Sequence, residues 1–581
     1  MKPIIYQLLP RLFTNASSAN IPGGDIDQNG SGKFNDIDDK IIASLKDLGI
    51  THIWLTGIIE HATATDYSAH GITPDNPHIV KGKAGSPYAI KDYYDVDPDL
   101  AVDIDRRMEE FDALCDRIHA AGLKVVIDFV PNHVARQYHS DRLPAGAENL
   151  GSRDNSDLFF GRDNNFYYIP RQLFSPNIDL GEWPGAYVEF PAKASGNDCF
   201  NAFPGPNDWY ETVKLNYGVD YGDGSRHFDP IPDTWMKMLA IMRFWAARKI
   251  DGLRCDMAFM VPREFWMWAI PQVKAINPEL IFIAEIYDVA LYRDFIANLG
   301  FDYLYDKVNL YDTLRGIMCS NVSAARLTSA WQTVDGIQTH MLNFLENHDE
   351  QRFGSPQYAG NPALVLPSLV ASSMMSTGPM MIYMGQELGE QALESEGFSG
   401  ADGRTTIFDY WSLSTLRRWL PPGRGATPPD VDESFARAHG RRRLYRTVLR
   451  ACNDEAALRE GAFFDLMYVN YDNPTVNPHR HYLFLRCQGR EVIVAALNFG
   501  AEKASMSINI PQHALDILGI QAAVNARATD LISGAAGVKT FSSKVPFETE
   551  VEPFGAVAWK LTTRRRPAAR TTDSQKNQNK Q

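Results

Sequence analysis

Eight short apolar runs, separated by stretches of helical periodicity, constrain the first 410 or so residues more than any other feature. They are IIYQLL at 4–9, HIWLTGI at 52–58, KVVIDFV at 124–130, DGLRCDMA at 251–258, LIFIAEIY at 280–287, FDYLYD at 301–306, HMLNFLE at 340–346 and MMIYMG at 380–385. The runs are continuous rather than alternating, as strands covered on both faces must be. Between them, MEEFDALCDRIHAAG at 108–122 carries apolar residues at helical spacing and a glycine stop. Eight such strands with intervening helices predict an α/β fold, a (β/α)8 TIM barrel.

One interval breaks the rhythm. About 120 residues lie between the third run and the fourth, rich in Asn, Asp, Gly, Pro and aromatics from 134 to 214. A structureless loop of that length is improbable, so an inserted domain is expected over the barrel mouth. Trp183, Trp209 and Tyr210 within it are either sugar-stacking platforms or the insert's own core. After about 430 the pattern turns to short strands (FFDLMYV, HYLFLRC, VIVAALNF, ASMSINI, AVAWKL), which predict a C-terminal antiparallel β-sandwich. The expected organisation is barrel over 1–133 and 215–425, insert over 134–214, sandwich over 430–562, and a disordered basic tail over 563–581.

Composition excludes more than it selects. A net charge of −14 argues against a nucleic-acid or anionic-membrane partner. No apolar window is long enough to span a bilayer. The start, MKPIIYQLLPRLF, lacks the apolar core and cleavage site of a secretory leader, so the expected compartment is the cytoplasm. Six scattered cysteines form no CxxC pair, which excludes a cysteine zinc site and a dense disulfide framework.

The chemistry-bearing residues cluster where the strands end. Asp128, Asn132 and His133 follow the third; Arg254 and Asp256 lie in the fourth; Glu285 ends the fifth; Asn347, His348 and Asp349 follow the seventh. Any one of these is as readily a satisfied buried group. Four strand ends converging on the C-terminal face of one barrel point instead to catalysis.

At these positions the chain resembles a known family. DFVPNH at 128–133, GLRCD at 252–256, IAEIYD at 283–288 and FLENHD at 344–349 resemble, in order, the four conserved regions of the α-amylase superfamily (glycoside hydrolase family 13). VKLN at 213–216 and GPMMIYMGQE at 378–387 are similar to flanking segments of the same family. The resemblance implies retaining cleavage of α-glucosidic bonds, with Asp256 as nucleophile, Glu285 as acid and then base, and Asp349 as third carboxylate. Arg254, two residues before Asp256 on one strand face, would hold it ionised. Substrate-binding roles fall to His133 and His348, to Tyr88 as a stacking ring, to Asp92 as a supporting acid, and to Arg352, which is equally a structural cap.

Cofactors are not required for this chemistry, but the resemblance raises a structural calcium. Asn132 matches one ligand, while Phe259 and Met260 replace the lysine–histidine pair whose histidine supplies a backbone ligand in calcium-dependent members. Asp25, Asp27 and Asn29, in DIDQNGSGKFND, are a second oxygen-rich candidate; a plain turn fits as well. The expected partner is an α-glucan oligo- or polysaccharide such as starch, glycogen or a maltodextrin, with no nucleic acid and no membrane. A glucan transglycosylase shares every catalytic residue and stays open as the alternative. A non-catalytic binding protein fits poorly, because all three carboxylates are present.

Overall fold

In a computed structural model, residues 1–420 and 432–564 are described. Eight parallel strands close into a barrel: β1 (Ile4–Leu8), β2 (His52–Leu55), β3 (Lys124–Phe129), β4 (Gly252–Cys255), β5 (Ile281–Ala284), β6 (Tyr303–Tyr305), β7 (Met341–Phe344) and β8 (Met380–Tyr383). Each falls inside one of the eight apolar runs, and β1 pairs with both β2 and β8, which closes the ring. The strands are buried along nearly their whole length, so their sequences carry no polar face. Space between them is tight: a Cβ on Gly252, the first residue of β4, would stand 2.6 Å from Ile281 and 3.1 Å from Val126.

The outer helices follow from amphipathic spacing. Arg107–Ala120 buries Phe111, Leu114, Cys115 and Ile118, with Glu109 and Glu110 in the first turn and Arg117 and His119 in the last, matching the helix dipole. Asp233–Ala246 leads into β4 and buries Trp245 completely, against Phe111 and Phe244. The indole Nε1 of Trp245 donates to the carbonyl of Tyr93 at 2.8 Å. That bond ties the approach to β4 to a strand, Ile90–Val96, that begins two residues after Tyr88.

Between β3 and β4 the chain makes two small antiparallel pairs, His133–Ala135 with Thr212–Lys214 and Tyr168–Ile169 with Ala192–Lys193. Ile79, Ile169, Phe174, Tyr187 and Tyr210 pack there as a core separate from that of the barrel. Tyr210 therefore belongs to packing, while Trp183 is 83% exposed.

The C-terminal strands form a six-stranded antiparallel sheet, ordered Ala462–Asp465, His481–Gln488, Glu491–Asn498, Ala556–Thr562, Ala523–Asp530, Ala536–Phe541, and a two-stranded one, Ala504–Ile508 with Phe547–Val551. Trp559 Nε1 donates to Thr549 Oγ1 at 3.0 Å and links the two sheets. One expectation needs correcting. The chain from 430 does not go straight into strands: Glu433–Asp454 is a 22-residue helix that buries Tyr445, Val448, Leu449 and Cys452. Arg446 and Arg450 on it pair with Asp47 of the helix Asp39–Leu48. Its arginine-rich outer face hid the i, i+3, i+4, i+7 stripe. The expected junction at 425–430 and the basic tail beyond Arg564 lie outside the described residues. Among the described residues no helix is long and apolar enough to cross a membrane, and none of the six cysteines is in a disulfide.

Candidate active site

The strand register brings the acids together. Arg254 sits opposite Asp128 on β3 and Ile283 on β5. Just beyond β4, the Asp256 N–H donates to Phe129 O at 2.9 Å, and the Glu285 N–H donates to Cys255 O at 3.1 Å. Both acids are thereby rooted in the ladder itself. A single guanidinium then binds three carboxylates. Arg254 Nη1 donates to Asp256 Oδ1 at 2.7 Å and lies 3.4 Å from Asp128 Oδ1, while Nη2 lies 2.9 Å from Glu285 Oε2. Its Nε donates to Tyr305 Oη at 3.2 Å, and Trp54 Nε1 donates to the other oxygen of Asp128 at 3.0 Å.

Burial is the largest single effect and opposes the charge of Arg254, but Glu285, Tyr305, Tyr88 and Asp256 together raise its pKa well above the usual value. Burial, with the Glu285 carboxylate next, pushes the Asp256 carboxyl well above the ordinary range, and Arg254 works against both. Asp128 is raised too, again by burial first with Arg254 opposing.

Arg254 Nη2 is an ion-pair neighbour of Glu285 and not a hydrogen-bond donor to it; the donors are Tyr287 Oη at 2.5 Å on Oε1 and the Met257 backbone N–H at 2.8 Å on Oε2. Met257 adopts a left-handed backbone, φ 43°, which is unusual for a side chain of its size. That turn aims its N–H back at the acid.

Asp349 stands apart from this buried pair, with 41% of its side chain exposed. Burial, the largest single effect, pushes it up, but His348, Arg254 and Arg404 together make the net shift downward, so it stays ionised. His348 is oriented from beneath: Gln7 Nε2 donates to its Nδ1 at 2.7 Å. The proton then resides on Nε2, which donates to Asp349 Oδ2 at 3.0 Å and Tyr88 Oη at 2.6 Å. The Tyr88 ring stacks on His348 with centroids 5.1 Å apart. His133 Nδ1 accepts from Asn132 Nδ2 at 3.1 Å, and burial pushes its pKa down to about 3, so its ring is neutral.

These groups line one cleft of about 260 Å³, bounded by Tyr88, His133, Trp209, Asp256, Glu285 and Asp349, with the ion pair Lys81–Glu211 at its edge. Two expected contributors lie elsewhere. Asp92 is fully buried and accepts from Ser140 Oγ and the N–H groups of Tyr94 and Arg142. Arg352 is also fully buried and donates to Glu346, Thr405 and the Met384 carbonyl. Neither offers an accessible atom to a sugar hydroxyl: Arg352 Nη2 has no hydrogen-bond partner but is buried. Gln7, Trp54, Tyr287 and Tyr305 were not singled out from the sequence. The only signal they offered was their place at or just past the ends of barrel strands.

The candidate metal ligands do not fit an ion. Asn132 Oδ1 accepts from Lys214 Nζ, which also pairs with Asp198 at 2.7 Å and lies 3.4 Å from Met260 O. A lysine ammonium thus holds the oxygens that a cation would need. In the other loop, Asp25 caps a short helix through Gln28 N, Asp27 points to solvent, and Asn29 is buried against the backbone of Ile21 and Tyr410. The helical turn over Ile26–Asn29 separates side chains that a metal loop would converge.

Known proteins resemble most of the chain. An α-amylase, MalA, of Haloarcula japonica is 23% identical over 514 residues, 87% of this chain and 56% of that protein. A cyclomaltodextrin glucanotransferase of Bacillus licheniformis is 24% identical over 455 residues, 72% of this chain and 54% of that protein. The chain spans about half the length of these curated relatives. Among solved structures, the maltogenic α-amylase AmyB of Thermotoga neapolitana shares the fold, with TM-score 0.60 and 19% identity, covering 97% of this chain and 99% of that one. The α-amylase catalytic-domain family matches residues 7–176 and 231–408, more than half of the chain, and the chain belongs to that family.

Proposed function

We propose that the protein is a retaining hydrolase of α-1,4-glucosidic bonds in starch, glycogen or maltodextrins. The observation that carries this reading is the sharing of one guanidinium: Arg254 holds Asp256 Oδ1 on Nη1 and Glu285 Oε2 on Nη2. Two carboxyl groups side by side, about 5 Å apart, are the requirement of double displacement.

In the first step Asp256 attacks the anomeric carbon while the glycosidic bond breaks and Glu285 gives its proton to the leaving oxygen. In the second, Glu285 takes a proton from water, whose oxygen attacks the same carbon and releases Asp256. Asp349, ionised and facing the cleft, accepts from sugar hydroxyls, and these bonds strengthen as the ring flattens toward the oxocarbenium ion. Neutral His133 and the Nε2–H of His348 serve the same sugar, and Tyr88 lies beneath it.

Incubation with maltoheptaose, followed by proton NMR, tests the proposal. The first new reducing ends should be the α-anomer; β-anomers appearing first exclude double displacement at this pair. One observation favours a second reading. Tyr287 and Phe259, with ring centroids 6.0 Å apart, stand beside Glu285, where an acceptor sugar could displace water. Oligomers longer than the substrate would establish transglycosylation instead of simple hydrolysis.

A further inference from the structure

Away from the cleft, three carboxylates meet just below the surface. Glu60, on the strand Ile59–His61, lies opposite Asp92 of Ile90–Val96, and the ladder is irregular on both sides of Glu60. The irregularity brings Asp95, three residues beyond Asp92, to the same point. One oxygen of each carboxylate lies within 4.8 Å of the other two, and the residues are 1%, 0% and 2% exposed.

Their hydrogen bonding is unequal. Asp92 has three donors, and Asp95 accepts from Val96 N and from Arg107 Nη2 at 2.6 Å. Neither oxygen of Glu60 has any donor, and neither reaches solvent. A buried ionised carboxylate without a partner is strongly unfavourable.

Charge and size both indicate what completes it. Of the cations nearby, Arg107 and Lys91 are buried, and the side chain of Arg142, 3.3 Å from Asp95, is 52% exposed. Lys91, adjacent in sequence, is taken by Asp75 and the Thr73 carbonyl. With Lys91 committed to Asp75, three buried carboxylates face Arg107 and the half-exposed Arg142, so at least one negative charge stays unmatched. Three oxygens no more than 4.8 Å apart in pairs all lie within about 2.8 Å of one point, which small side-chain shifts bring to a Ca–O distance of about 2.3–2.6 Å.

We propose that Glu60, Asp92 and Asp95 form a site for a divalent, oxygen-binding cation, with Ca²⁺ preferred over Mg²⁺. Carboxylates that bind through one or both oxygens suit the variable geometry of Ca²⁺, whereas Mg²⁺ needs an octahedron that keeps several waters, for which a buried site has little room. Burial first, then Asp92 and Asp95, pushes the Glu60 carboxyl well above its ordinary range. The site differs from the position at Asn132, where Lys214 supplies the charge. It does not depend on the proposed hydrolysis.

The full chain, stripped with a chelator and titrated with Ca²⁺ alone, tests it by calorimetry and thermal melting. One equivalent should bind and raise Tm by several degrees, with a smaller shift from Mg²⁺. Glu60→Gln should abolish both effects, while Asp198→Asn beside Lys214 should keep them. If Glu60→Gln does not fold, Asp95→Asn and Tb³⁺ emission from the wild type, sensitised by nearby Tyr138 and quenched by Ca²⁺, give the same reading. A stripped wild type that binds no Ca²⁺, or a Glu60→Gln variant with an undiminished Ca²⁺ response, overturns the proposal.

Discussion

Lys214 Nζ is bound to the side-chain oxygen of Asn132, joining the end of β3 to the last strand before Asn216. The same ammonium pairs with Asp198 and reaches toward Met260 O, just past Asp256. Three segments that meet only near the cleft therefore share one charge.

Removing that charge should loosen the wall of the site rather than the chemistry. Lys214→Met leaves Asn132 Oδ1 without a donor and Asp198, 37% exposed, to be solvated. The expected loss is about 1–3 kcal/mol of stability, read as a lower Tm. An unchanged Tm would mean that the contact carries no energy.

The acids should separate binding from turnover. Asp256→Asn keeps the shape of the side chain, and it should retain oligosaccharide affinity by calorimetry while kcat falls by roughly 10³-fold or more. Glu285→Gln should fall about as far on natural glucans but less on substrates whose leaving group needs no proton, because only acid assistance is lost. Wild-type turnover in Asp256→Asn would refute its role as nucleophile.

Gln7 should matter although it lies beneath the cleft. It fixes which nitrogen of His348 carries the proton, so Gln7→Leu frees the ring to present an unprotonated nitrogen to Asp349. The expected result is a fall in kcat/KM of about 10-fold, equivalent to roughly 1.4 kcal/mol, with a small change in Tm. A large Tm loss with unchanged kcat/KM would make Gln7 merely structural.

Acid sensitivity has a nameable contributor in His52. Burial first, and then Lys124, lowers its pKa to about 4, against about 6.5 in an unfolded chain. Below 6.5 the unfolded chain binds a proton that the folded one refuses, so this stability is complete at neutral pH and is lost as pH falls toward 4. The slope is about 1.4 kcal/mol per pH unit, or roughly 3 kcal/mol in all. In urea melts from pH 7 to 4, His52→Asn should lose less stability than the wild type. His133, shifted the same way, keeps part of the slope.

The barrel was legible in the sequence because its strands are covered on both faces and therefore read as unbroken apolar runs. The C-terminal strands Ala523–Asp530 and Phe547–Val551 were not, because alternate residues face solvent and the apolar ones are sparse. The three acids could be placed from motifs at strand ends. Their supports could not: Gln7 and Tyr305 look like ordinary strand residues until the ring closes and points them inward. Asp92 and Arg352 show the reverse limit. Asp92 sits in a segment with a family counterpart and Arg352 just after one, yet both side chains are buried and bonded to protein groups.

Arg486 carries a last consequence. Completely enclosed, it donates to Met375 O behind the barrel at 2.7 Å and to Gly461 O at the root of the C-terminal sheet at 2.6 Å. Asp465 of that sheet in turn accepts from Thr328 and Trp331 of a barrel helix. Pulling the two modules apart leaves one Arg486 nitrogen, Met375 O, Thr328 Oγ1 and Trp331 Nε1 without their partners at once, which couples the melting of one to that of the other. The molecule should lose its structure in one cooperative step, and the sheet that contributes nothing to the cleft sets the temperature at which the cleft disappears.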